Sequence, residues 1–218
     1  VIFTRKHNWL MCWLYLGTFG SFIGYSAGLP MLMQSQFENV DALQVAWLGP
    51  LLGALLRPLG GWLADRVGGA RVTFWAFVAM ALGVAAVLYC LPQQGRGGHF
   101  AGFLAAFGVL FAAAGIGNGS TFRMIPSIFL TERQRAAGPL PAARAQAVKD
   151  ANMEAAAVLG FASAIGAYGG FFIPKSYGTS IAMTGGPEAA LLAFIVFYFT
   201  CIAVTWWYYS RRNAPMPC

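Results

Sequence analysis

Apolar residues run along this chain in six long stretches, and the polar residues between them are too few to clothe a soluble domain. The stretches are residues 9–33, 45–64, 72–91, 100–130, 155–174 and 189–209. A bilayer core of about 30 Å needs about 20 mostly apolar residues as a helix. Each stretch therefore predicts a transmembrane helix. The fourth exceeds a straight span and predicts tilt, or an extension past the bilayer. Residues 34–41 and 92–99 form short loops on one membrane face. The longest connection, 131–150, is basic, Ala-rich and marked by proline. Its tail, 142–150, predicts a short helix lying on the opposite face. No short repeat is evident. The pattern predicts an all-α integral membrane unit over residues 1–218, a six-transmembrane-helix bundle.

Composition agrees. Hydrophobic residues make up 58% of the chain and charged residues 10%, against about 25% charged in soluble domains. The net charge of +7 matters through its placement. Arg5, Lys6, Arg66, Arg71, Arg133, Arg135, Arg144, Lys149, Arg211 and Arg212 fall on one side of the predicted spans. The other side has only Arg96 and Lys175. The positive-inside bias puts both ends of the segment in the cytoplasm, as a multi-pass protein of the inner (plasma) membrane. The basic balance calls for membrane lipids as partners and for no nucleic acid. Cys12, Cys90, Cys201 and Cys218 form neither a disulfide framework nor a metal spacing. His7 and His99 are isolated and read as solvated. With no metal cluster, catalytic triad or phosphate loop, the expectation is a non-enzyme without cofactors. The chain begins Val1-Ile2-Phe3, which predicts part of a longer polypeptide.

Arg57 breaks the second stretch near its middle. An arginine at that depth costs about 2.5–3.5 kcal/mol even on lenient insertion scales, and it cannot shed its proton. It needs an anion, a set of carbonyls or water. Asp65, the only acid on the same stretch's end, is two turns away. A transported anion is one candidate partner; a structural arginine bonded to a neighbouring helix is the other. Arg123 is a second charge in an apolar stretch and predicts either snorkelling to headgroups or guidance of anions at the inner mouth. The acids Glu38, Asp41, Asp65, Glu132, Asp150, Glu154 and Glu188 all lie outside the middle of a span.

Two further patterns carry structure. Tyr15 and Phe19 are four residues apart and share a helix face with Phe22 and Ser26. Small residues recur in the fifth stretch, where Gly166 and Gly170 form G-x-x-x-G and Gly160, Ala162, Ser163 and Ala167 keep the helix slim. Gly20, Gly24 and Gly28 do the same in the first stretch, and Gly49 with Gly53 in the second. Pro30, Pro50, Pro58 and Pro126 permit bends.

The segment GWLADRVGGAR at residues 61–71 resembles the G-x-x-x-D-R-x-G-x-x-R cytoplasmic loop of the major facilitator superfamily. Here Asp65 is expected to accept from the first amides of the next helix and from Arg66 or Arg71. The segment GFASAIGAYGGFFIPK at 160–175 is similar to the second nitrate-signature segment of the nitrate/nitrite porter family. FGSFIGYSAG at 19–28 and GNGSTF at 117–122 resemble that family too. The likeness covers essentially the whole chain, as the carboxy-terminal six-helix half. Tyr168 departs from the pattern, where a smaller apolar side chain is expected. By this resemblance the amino-terminal six helices, and with them one signature segment and a partner arginine, are missing from this stretch of sequence.

The resemblance implies transmembrane transport of nitrate and nitrite, as exchange by alternating access between two halves. It implies that Arg57, Tyr15, Phe19, Phe122, Ser163 and Gly166 bind substrate. Gly61, Asp65, Arg66, Gly68, Arg71, Gly160, Gly169 and Gly170 would serve gating. The partners implied are nitrate, nitrite and the amino-terminal half. The lack of a mid-span acid favours exchange over nitrate/proton symport. An anion channel and a non-transporting membrane scaffold remain the other classes.

Overall fold

A backbone in hydrocarbon must satisfy its own amides, and helices do so within one segment. The computed structural model describes residues 2–37, 41–92, 98–137, 141–216 and 218, and every long element in it is helical. Arg96 and Glu38 lie outside the described residues. Helix α1 (Lys6–Tyr15) passes through a π-helical turn, Leu16–Gly20, into α2 (Ser21–Gln36), forming one rod. There follow α3 (Ala42–Val45), α4 (Leu48–Val67), α5 (Gly69–Cys90) and α6 (Phe100–Ala136). Next come α7 (Pro141–Ala167), α8 (Gly169–Thr184) and α9 (Glu188–Thr205), the last continuing as a π-helical turn, Trp206–Ser210.

Among the described residues, four segments are long and apolar enough to cross a membrane: Gly69–Cys90, Phe100–Ala136, Pro141–Thr184 and Glu188–Ser210. The chain is therefore an all-α, multi-pass membrane protein. The first rod and α4 are helical over the first two predicted stretches but fall outside that set. Their apolar character is diluted by Gly, Ser, Thr and Tyr in the rod, and by Arg57, two prolines and four glycines in α4.

The predicted long connection is corrected. Helix α6 runs through Ala136, and α7 starts at Pro141 and flows into the fifth stretch. What reads as a 131–150 loop is two helix ends. Proline at the first helical position has no amide to lose there, and the side chains of these ends hold partners. Arg5 pairs with Glu132 at 2.9 Å and reaches Glu154 at 3.6 Å. Arg133 grips both oxygens of Glu154, and Arg135 donates to the Pro215 carbonyl at 3.0 Å. Pro174 likewise does not end the fifth rod; α8 continues to Thr184 after a turn at Tyr168. At 37 residues, α6 is about 55 Å long, well beyond the bilayer core.

His7 is buried rather than solvated, with its Nδ1 3.0 Å from the Tyr209 hydroxyl. Burial lowers its pKa. His99 caps α6, accepting from the Gly102 amide at 2.9 Å. The Arg133 fork holds the Glu154 carboxyl below the usual carboxylate range. Its stabilisation is present above the ordinary carboxylate pKa and lost as pH falls through the lowered one. Glu154→Gln is expected to destabilise the protein by about 2 kcal/mol at neutral pH, since it strands a partly buried arginine. Thermal unfolding of both proteins across pH checks this. The gap should close in acid, and a pH-independent gap would rule out the ion pair as its source.

The core is aromatic. Phe77 of α5 and Phe103, Phe107 and Phe111 of α6 are fully enclosed, and Tyr25 of α2 packs against Phe107 and Phe111. Tyr25 meets Phe107 edge-on at 5.8 Å, a favoured ring geometry. Helices α4 and α6 touch backbone to backbone. A Cβ on Gly60 would strike the Ile116 carbonyl, one on Gly115 the Gly53 carbonyl, and one on Gly119 the Arg57 carbonyl. The first rod meets the α7–α8 junction the same way, through Gly20 and Gly24 against Gly169. Glycine permits this approach because it carries no side chain.

Candidate functional site

The Gly119 contact fixes the backbone of Arg57 against α6, so its side chain leaves the seam sideways. It enters a groove of about 610 Å³ between the two helices. Arg57 is half-buried there. Its guanidinium carbon lies 5.9 Å from the centroid of the Phe19 ring and 5.9 Å from that of Phe122. Two aromatic faces thus flank one planar cation, within cation–π range. Among the described residues the guanidinium has no carboxylate partner and no hydrogen bond. Pro58, the next residue, supplies no amide to the Ala54 carbonyl, and both line the groove.

Toward the end of α4 the groove is walled by Gly61, Trp62, Asp65 and Arg123. Asp65 Oδ2 accepts from Arg123 Nη2 at 2.5 Å. This replaces the expected local contacts. Helix α5 has no side-chain cap; the Ala70 amide donates to the Cys218 carbonyl at 3.1 Å. Arg66 lies over the Trp62 ring at 4.1 Å instead of pairing with Asp65. Arg71 is exposed beside Trp75. Gly68, at φ 94°, makes the one-residue corner between α4 and α5, a conformation that glycine adopts without strain. Both partners of the Asp65–Arg123 pair are about half exposed, so the pair is worth about 0–1 kcal/mol and exchanges readily. With Arg123 neutralised by Asp65, Arg57 is the groove's uncompensated charge.

Tyr15 and Gly166 stand behind Phe19. Tyr15 is 1% exposed, and its ring lies 5.3 Å from that of Phe19. A Cβ on Gly166 would come within 2.8 Å of Phe19 and 3.4 Å of Tyr15. The bare backbone of α7 thus leaves room for the ring that faces Arg57. Ser163, one turn earlier, is half-buried and is not among the side chains lining the groove. A Cβ on Gly170 would come within 2.8 Å of Ile23, whereas Gly160 is exposed and a Cβ there would meet nothing within 4 Å. Gly160 is therefore not a packing glycine within this unit. Tyr168 is exposed at the α7–α8 turn, so its bulk causes no internal clash. Trp62 and the Arg123 partnership were not singled out by sequence; Trp62 lies inside the 61–71 motif.

No family model matches the chain. It is 48% identical over 212 residues to the nitrate/nitrite transporter NarU of Salmonella typhimurium (strain LT2), covering 97% of this chain and 46% of that protein. Against NarU of Escherichia coli (strain K12) the identity is 47% with the same coverage. It is 35% identical to the probable nitrate/nitrite antiporter NarK2 of Thermus thermophilus, over 100% of this chain and 45% of that protein. The chain spans about half the length of the curated relatives it matches. With matches of this extent to several such transporters, the chain belongs to the nitrate/nitrite porter family.

Proposed function

We propose that the chain is the carboxy-terminal six-helix half of a major-facilitator nitrate/nitrite transporter and contributes an arginine to a central anion site. The single observation that carries this is the uncompensated Arg57 guanidinium between Phe19 and Phe122. Nitrate is flat and singly charged. A guanidinium fork matches its oxygens in the plane, and the two rings offer apolar faces to the flat sides. The first rod and α4 would be spans one and two, with their less apolar faces turned to the amino-terminal half. Both ends of the segment would lie on the cytoplasmic side of the inner membrane.

Tyr15 and Gly166 would hold Phe19 in place, and Ser163 would reach the anion only after a shift of α7. The Asp65–Arg123 pair, with Arg66, Gly61, Gly68 and Arg71 at the α4–α5 corner, would act as the inner gate. Gly169 and Gly170 would let the first rod slide over α8, and Gly160 would face the other half. None of the described acids forms an ion pair with Arg57, which supports anion exchange: a loaded site crosses, while an unloaded cation resists the return.

The test uses the intact transporter that contains this chain, in vesicles. Nitrate uptake is expected to accelerate when nitrite or nitrate is loaded inside. Strong uptake into empty vesicles under an imposed proton gradient would establish symport in its place. Conduction far above any exchange flux would establish a channel.

A further inference from the structure

Asn118 lies on α6 in the stripe Phe111, Gly115, Asn118 and Phe122, whose spacing of three and four residues puts them on one face. Contacts on both flanks fix where that face points. On one side, Gly115 touches the Gly53 carbonyl and Gly119 the Arg57 carbonyl of α4. On the other, Gly117 abuts Thr18 of the first rod, and the Thr121 hydroxyl is 3.1 Å from that of Thr18. Asn118 is thus lodged between the rod and the 53–57 turn of α4. It is one turn along α6 from Phe122, whose ring faces Arg57.

Asn118 is 1% exposed, and its side-chain oxygen is buried without a hydrogen-bond partner. Buried carbonyls rarely go without a donor, and each that does calls for an explanation. The neighbouring hydroxyls are committed elsewhere: Thr18 donates to the Leu14 carbonyl at 3.2 Å and Thr121 to the Gly117 carbonyl at 2.9 Å. A donor-rich group without an acceptor among the described residues is Arg57, whose backbone carbonyl meets Gly119, the residue next to Asn118. An acceptor without a donor and a cation without an acceptor stand on two sides of one wall.

We infer that Asn118 is a positioning residue for Arg57, its carboxamide oxygen being the acceptor that takes a guanidinium N–H when the site closes without an anion. The inference rests on the anion-site reading of Arg57. In the open groove water serves the guanidinium. Closure removes that water, and arginine cannot respond by losing its proton. A bound anion then satisfies it; otherwise the nearest acceptor must. A neutral carboxamide offsets only part of the desolvated charge. Unloaded closure is therefore slow but possible, and the residue at 118 sets how strictly uptake depends on a counter-anion.

Asn118→Leu and Asn118→Asp test this in the intact transporter, with nitrate binding, exchange into nitrite-loaded vesicles and net uptake into empty vesicles measured for each. Asn118→Leu is expected to lower the ratio of net uptake to exchange about tenfold and to tighten nitrate binding, since no internal acceptor competes. Asn118→Asp should do the reverse. Its carboxylate compensates Arg57 fully, raising the ratio and weakening nitrate binding by about tenfold or more. Thermal unfolding reports whether each variant folds. Equal loss of binding and of both fluxes in the two variants would mark Asn118 as structural and overturn the inference, as would no change in either. Arg57→Ala separates the two levels: if it binds nitrate like the wild type, the anion-site reading falls as well.

Discussion

Arg57→Ala is expected to abolish specific nitrate binding while the protein still inserts, because removing a mid-helix charge eases insertion. Arg57→Lys keeps the charge but replaces a planar fork with a point charge. One charge-assisted hydrogen bond in a water-poor site is worth about 1.5–3 kcal/mol, so the lysine variant should bind nitrate about tenfold more weakly or worse. The ring contacts sharpen the contrast. Phe19 and Phe122 each lie 5.9 Å from the guanidinium carbon, within cation–π range, and a planar guanidinium can meet a flat anion in its own plane. An ammonium has no plane to impose. Nitrate titration of the purified intact transporter decides the matter. Near-native affinity in Arg57→Ala would refute the ligand role.

The other large effect belongs to a residue with no chemistry. Gly119→Ala places a methyl group on the Arg57 carbonyl, with the Gly61 amide nitrogen 2.8 Å away. These are backbone atoms and cannot swing aside, so α4 must move off α6. Overpacking of this kind costs about 1–3 kcal/mol. The displacement also carries Arg57 away from Phe122, so nitrate affinity should fall together with thermal stability. Gly108→Ala, also on α6, is the matched control, because the nearest atom to its Cβ is the Leu52 side chain at 3.9 Å, an ordinary contact; its stability should stay within about 0.5 kcal/mol of the wild type. If the two alanine variants unfold at the same temperature, the backbone seam is not what fixes Arg57.

The helices and the central cation were legible in the sequence because both are local signals. Long apolar runs have few ways to satisfy their amides in lipid, and an arginine inside one stands out by its cost. The partner of Asp65 was not legible. It is Arg123, 58 residues away, whereas the motif around Asp65 offered two arginines close by. The same limit explains the 131–150 segment. Its polar, alanine-rich composition reads as a loop until Arg5, from the other end of the chain, is seen to meet Glu132 and Glu154. Gly160 was grouped with the packing glycines by spacing alone. Spacing identifies a shared face but cannot say whether a neighbour occupies it. Tyr15 was expected beside the anion, and the structure has it enclosed behind Phe19.

The ion pairs Arg5 with Glu132 and Glu154, Arg133 with Glu154 and Asp65 with Arg123 all involve the carboxy-terminal half of α6 or the helix α7 that follows it. The other end of α6 carries aromatic packing, such as Phe37 against Phe103 at 5.1 Å. Ionic strength therefore acts on the molecule asymmetrically. At about 1 M salt the screening length shrinks to about 3 Å, which weakens the ion pairs and leaves the ring contacts intact. Salt is therefore expected to loosen the half-exposed Asp65–Arg123 pair first, and with it the α4–α6 contact beside the groove, before the enclosed Glu154 pairs respond.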